Sequence, residues 1–251
     1  MSKVLVEIDG PVRTITMNRP EKRNALDTET LDGLRAAFPD QPGPNERVAV
    51  LRANGPSFCS GMDLSQKAAG LGKPGSIEAM LRRVEMYPLP VVAVVHGPAI
   101  AGGNELALHC DFVVASTSAI FGMSLAQIGL APTWFLAKKL MEVAGPVATR
   151  EILLLGDPLP ATRMHELGII ARIAEPDALQ DAAQKVIDRL AANAPMSLRN
   201  MKAMMVRHMA FRDATAHDDL NADVAKVAAS ADALEGVKAR LERRQPNFRG
   251  E

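Results

Sequence analysis

The chain predicts an α/β fold, with a core of alternating strands and helices followed by a mainly helical C-terminal part. Three observations carry this. Short runs of Val, Ile and Leu alternate with helix-spaced segments over the first half of the chain. From Phe135 onward the pattern is mostly helical, divided by Pro146, Pro158, Pro160, Pro176 and Pro195. Finally, 47% of the 251 residues are hydrophobic, enough for one large core or a core with a small appendage.

The elements follow in order. Val4 to Ile8 and Val12 to Met17 read as two short strands joined through Asp9-Gly10-Pro11, a hairpin. Asn18-Arg19-Pro20 stops the second strand. Asp27 is placed to cap a helix carrying Leu31, Leu34 and Phe38 on one face. After the break at Pro42-Gly43-Pro44, Arg47 to Arg52 reads as a strand, and Gly55 to Leu64 as a loop of small residues. Gly70, Gly72, Pro74 and Gly75 make 66–75 the segment expected to be most mobile. Ile77 to Met86 looks helical, Val91 to Val95 is a buried strand, and Phe112 to Ala115 is a further apolar run. Ala178 to Asn193 has apolar positions at helical spacing.

Composition excludes several classes. Lys and Arg balance Asp and Glu at 29 each, no basic stripe is interleaved with aromatics, and only 4% of residues are aromatic, which argues against a nucleic-acid partner. No run approaches the roughly 18 apolar residues of a membrane span, and the start lacks a signal-peptide core, so a soluble cytoplasmic protein is expected. Cys59 and Cys110 belong to no metal-type cluster and suggest packed thiols in a reducing compartment, although a disulfide between them stays open. His96 and His109 lack partners at metal-ligand spacing and read as structural; no metal is expected. Ser60 has no adjacent base to make it a nucleophile. Met196, Met201, Met204, Met205 and Met209 read as core or subunit packing.

Two segments can carry chemistry, Ser57 to Leu64 and Gly97 to Asp111. Each follows a strand and puts small residues where backbone must approach something closely. The second leads through a glycine-bearing turn into a helix whose first turn holds Glu105. Free N–H groups at such a turn can hold developing negative charge, and two turns can aim two N–H groups at one oxygen. Alone, Glu105 reads as a first-turn acid favoured by the helix dipole, and the Gly102-Gly103 pair as close packing.

Taken together, these segments resemble the enoyl-CoA hydratase/isomerase (crotonase) superfamily. The matching pieces are Asn18-Arg19-Pro20 with Lys22-Arg23-Asn24-Ala25-Leu26, Phe58-Cys59-Ser60-Gly61-Met62-Asp63-Leu64, and Ala101-Gly102-Gly103-Asn104-Glu105-Leu106-Ala107. Phe121-Gly122, Gly129, Pro132 and the tail from Glu235-Gly236 to Phe248 extend the match over nearly the whole chain. The resemblance implies a crotonase-like spiral of repeated strand-strand-helix units over residues 1–194 and a helical region over 195–251 that builds a homotrimer, often paired into a hexamer. It implies the Met62 and Gly102 N–H groups as an oxyanion hole and Glu105 as acid/base. Lys22, Arg23, Ala25, Ser60, Asp63 and Leu64 would follow the adenine and phosphate part of coenzyme A, and Arg243 would reach a CoA of a neighbouring subunit. Asp63 reads equally well as a helix cap, and Trp134 as acyl-pocket wall or core.

One departure bears on mechanism. Family hydratases carry two glutamates; Glu105 matches the first, while Leu125 stands at the second. A positioned acid or base contributes about 10²–10⁴-fold. Ser124, Gln127 or an ordered water could take the missing place. The resemblance therefore implies hydration of 2-trans-enoyl-CoA through an enolate, with double-bond isomerisation second and decarboxylation or thioester hydrolysis third. A non-catalytic acyl-CoA binding protein is the alternative that Leu125 motivates. No redox cofactor is implied, and coenzyme A enters as part of the substrate.

Overall fold

A computed structural model describes residues 2–65 and 76–250, so the segment expected to be mobile lies outside the described residues. Strands β1 (Val4–Asp9) and β2 (Val12–Met17) pair antiparallel as the hairpin predicted. Helix α1 spans Thr28–Ala37, capped by the Asp27 carboxylate accepting from the Thr30 N–H at 2.8 Å. Burial pushes the Asp27 carboxyl up, but Lys3, Thr30 and Arg19 outweigh it and hold the group at about 2. Strand β3 (Val48–Ala53) and helix α2 (Ser76–Glu85) lie one residue from the expected bounds, and β4 covers Val91–Val95. Next come β5 (Ala99–Ile100), α3 (Gly102–Leu108), β6 (Phe112–Ser116) and β7 (Ile120–Gly122).

The C-terminal part is less uniformly helical than its pattern suggests. Helix α4 (Trp134–Arg150) is interrupted at Gly145, where φ is 68°, just before Pro146. Two short strands, β8 (Leu159–Pro160) and β9 (Arg172–Ala174), flank α5 (Ala161–Glu166). Helices α6 (Leu179–Ala192), α7 (Pro195–Met209), α8 (Asp218–Ala229) and α9 (Ala231–Glu242) complete the chain. Strands this short bury too few side chains to show a period of two.

Six strands form one sheet in the order β1-β2-β3-β4-β6-β9, parallel from β2 onward. Side chains of successive residues face opposite sides. Val48, Val50, Val92, Val94 and Val114 meet Leu179, Ala183 and Ile187 of α6. Ala49, Leu51, Ala93, Val95 and Ala115 face the larger core with α1 and α3. A second sheet, β5-β7-β8, takes its strands β5 and β7 from the chain that follows β4 and β6.

Four of the methionines do not pack in the core: Met196, Met201, Met204 and Met205 are exposed on α7. Among the described residues, Trp134 is half-buried outside the apolar core and outside the cavity that holds Glu105; it stacks on His217 with centroids 4.8 Å apart. Cys59 and Cys110 are buried and free, which closes the disulfide alternative. Among the described residues no helix is long and apolar enough to cross a membrane.

Helix α3 sits tightly on the loop after β3. A Cβ at Gly103 would stand 2.3 Å from the Cys59 carbonyl oxygen. Gly103→Ala is therefore expected to cost about 1–3 kcal/mol by overpacking, measured as a lower midpoint of thermal unfolding.

Candidate active site

The site forms because β3 and β4 are parallel neighbours. The loops leaving their carboxyl ends, 54–64 and 96–101, therefore emerge side by side, the usual place for a crevice in such sheets. Backbone bonds stitch them together. Cys59 N–H donates to the Pro98 carbonyl at 3.1 Å, and Ile100 N–H donates back to Cys59 at 2.9 Å. On the other side, Leu26 N–H donates to Gly61 at 2.8 Å and Asp63 N–H donates to Leu26 at 3.0 Å.

This stitching aims the Met62 N–H. In extended backbone, successive N–H groups point to opposite sides. Asp63 spends its N–H on Leu26, so the Met62 N–H points away from Leu26, toward the segment 99–102. Gly61 turns there at φ +88°, and a Cβ on it would stand 3.2 Å from Gly102 N. Gly102 opens α3, where N–H groups lack intrahelical partners. Ala101 before it holds the unusual φ 48°, ψ −118°, fixed by its N–H donating to Gly122 at 2.7 Å. Among the described residues neither the Met62 nor the Gly102 N–H donates to another protein group.

Both residues line a cavity of about 330 Å³ that also takes in Glu105, Leu125, Ser60 and Leu64. The Glu105 carboxyl has no ion pair or hydrogen bond among the described residues. Burial first, and then the charge of Glu78, push it up to about 8. Glu78, from the first turn of α2, lines the same cavity. No sequence pattern marks it, since α2 reaches the cavity only through tertiary packing. Its neighbour Ile77 would touch a Cβ on Gly102 at 2.8 Å.

The other expected residues divide. Lys22 and Arg23 are exposed on the turn before α1, and Ala25 is buried there. The Ser60 N–H donates to the Arg23 carbonyl at 3.0 Å, so this turn borders the cavity without lining it. Asn24 anchors the turn, donating from its side chain to the Asn54 and Ser57 carbonyls. Asp63 is committed within the protein: it accepts from the Ser65 N–H as a cap and pairs with Arg19 at 2.9 Å. The Ser65 hydroxyl, with Arg19, holds its carboxyl below the usual range. Arg243 caps the end of α9, exposed and not among the residues lining the cavity.

Neither polar candidate beside Leu125 is available to replace a lost acid. Ser124 donates its hydroxyl to the Gly156 carbonyl at 2.8 Å. Gln127 is exposed and donates to Leu155 and Asp157. The His96 ring meets the Gly55 carbonyl and the His109 ring meets the Glu105 carbonyl, both structural contacts. Among the described residues no group of three or more His, Cys, Asp and Glu is arranged to hold a metal ion.

The chain is similar in sequence and in fold to known proteins. The enoyl-CoA hydratase/isomerase family model matches residues 7–251. The 1,2-epoxyphenylacetyl-CoA isomerase of Escherichia coli is 32% identical, covering 100% of this chain and 99% of the relative. The (E)-benzylidenesuccinyl-CoA hydratase of Thauera aromatica is 32% identical over 98% and 99%. A crystal structure of methylmalonyl-CoA decarboxylase complexed with 2S-carboxypropyl CoA superposes with a TM-score of 0.91 at 25% identity, covering 100% of this chain and 99% of that one.

The raised Glu105 carboxyl makes a prediction about stability. Its ordinary value is 4.5, and about 8 in the folded chain. Between those values the folded chain keeps the proton and the unfolded chain does not, so this group's contribution falls as pH rises through that window. Glu105→Gln removes that loss. Its thermal midpoint, relative to wild type, is expected to climb steadily from about pH 5 to about pH 8.

Proposed function

The chain belongs to the enoyl-CoA hydratase/isomerase family, and from that membership we propose that it is an enzyme that binds an acyl-CoA thioester and hydrates a 2-trans-enoyl group. The observation that carries this is the placement of two uncommitted N–H groups, Met62 and Gly102, on one cavity with Glu105. A thioester oxygen seated between those amides gains hydrogen bonds that strengthen as water adds to the β-carbon and charge moves onto the oxygen. A single such donor is typically worth about 10²–10³ in rate. Glu105, which keeps its proton near neutral pH, supplies the proton that the α-carbon takes as the enolate collapses, and the proton released by the water restores Glu105 to its acid form.

The CoA portion would run past Ser60 and Leu64 and the turn bearing Lys22, Arg23 and Ala25, with the backbone near Asp63. Arg243 would serve a neighbouring subunit. The exposed methionines of α7 support a homotrimer or hexamer, since adaptable apolar side chains favour an interface. Two free buried thiols accord with a reducing cytoplasm.

Leu125 on the cavity wall favours a second reading. An apolar acyl end suits a protein that binds acyl-CoA without turnover; a double-bond isomerase, which needs only one shuttling carboxylate, is the other alternative.

Crotonyl-CoA and longer 2-enoyl-CoA esters test the reading directly. Wild type is expected to hydrate at least one of them. Glu105→Gln should lower kcat by about 10²–10⁴-fold while calorimetry shows saturated acyl-CoA binding retained. Tight binding with no turnover on a broad panel would instead establish the binding protein, and equal rates for wild type and variant would remove Glu105 from the chemistry.

A further inference from the structure

Hydration moves two protons, one off the attacking water and one onto the α-carbon, and the place of the second family glutamate is filled by Leu125. We propose that Glu78 is the second acid–base residue of this site, taking the proton from the attacking water while Glu105 serves the α-carbon. This rests on the reading of the chain as an acyl-CoA enzyme.

The geometry points to Glu78 on several counts. It lines the same cavity as Met62, Gly102 and Glu105. Its turn of α2 packs on the oxyanion glycine through Ile77. Among the described residues no cation pairs with it. Arg82, one helical turn further on, lies over the Phe135 ring at 5.2 Å instead. The other polar residues beside Leu125, Ser124 and Gln127, are already spent. Among the described residues, the remaining ionisable groups around the pair are Arg240, on the cavity wall, and the Cys59 thiol, which burial pushes up to about 12. Neither is suited to take a proton from water at neutral pH.

The steps balance. As the water oxygen bonds to the β-carbon, one water proton passes to the Glu78 carboxylate and the π electrons move to the thioester oxygen. The enolate then takes the Glu105 proton at the α-carbon and the thioester carbonyl reforms. Glu78 ends protonated and Glu105 ionised, and transfer of that proton from Glu78 to Glu105 restores the starting state.

The test uses two reactions on the intact protein. One is hydration of crotonyl-CoA, or of whichever 2-enoyl-CoA ester turns over best. The other is exchange of the α-protons of butyryl-CoA in D2O, which needs only Glu105 and the two amides. Glu78→Gln is expected to lose about 10²-fold in hydration kcat, with KM changed little and α-exchange retained. Removal of the neighbouring charge should also shift the rise of α-exchange with pH to lower pH, and Glu78→Asp should recover part of the hydration. Glu105→Gln should lose both reactions. A Glu78→Gln protein that hydrates at the wild-type rate, or whose α-exchange profile stays in place, overturns the proposal while the enzyme reading stands. Loss of α-exchange together with hydration in Glu78→Gln also overturns the assigned division of roles. Absence of both reactions in wild type sinks the enzyme reading and Glu78 with it.

Discussion

Everything in the site depends on a short backbone seam. The loop after β3 is bound on one side to the strand entering β5 and on the other to the chain before α1. Those bonds use the N–H groups of Cys59, Ile100, Leu26 and Asp63, which leaves the Met62 amide facing the cavity. At the adjoining helix start Gly102 contributes a second amide that no carbonyl of the described residues satisfies. Buried N–H groups without partners cost stability, so a fold that keeps two of them on one cavity wall holds a ready-made place for an acceptor.

Around that seam the helices are locked by charge as well as by apolar packing. Lys139 of α4 reaches Glu85 of α2 at 2.5 Å and Glu142 of its own helix at 3.1 Å, all three largely buried. Burial disfavours each charge, yet the pairing outweighs it: the Glu85 carboxyl lies below its ordinary value and the Lys139 ammonium above. Such a pair is weak evidence of net stability, but breaking it leaves an uncompensated charge, about 3–5 kcal/mol. It fixes α2 against α4, and so fixes where the first turn of α2 meets the cavity. His109 does the same for α3, stacked on Phe135 at 5.0 Å and held neutral by burial, which lowers it to about 4.

Much of this was legible in residues. Val91 to Val95 can only be a doubly buried strand, and Asp27 before Thr28-Glu29-Thr30 reads as a cap because its carboxylate can reach the third N–H. Less was legible where elements are short or conformations unusual. The three strands of the second sheet span two or three residues each. The left-handed backbone at Arg23 and Asn24, which shapes the turn beside the cavity, occurs without glycine, and only Asn24, of a type enriched at positive φ, hints at it. Trp134 and the methionines of α7 show the limit of hydrophobicity as a guide, since burial depends on what another element places opposite.

The order of α1, α2, α3 and α6 among strands β1 to β4 and β6, the cap of α1, the small residues that permit Cys59 and Gly103 to meet, and the family itself were determined by the sequence alone, because each rests on local chemistry or on motif order along the chain. The meeting of residues 62 and 102 on one cavity, the pairing of Asp63 with Arg19, and the arrival of Glu78 on the cavity that holds Glu105 were decided only by the tertiary structure. Those relations join segments tens of residues apart, and their distances are set by sheet register and helix packing, which no local pattern encodes.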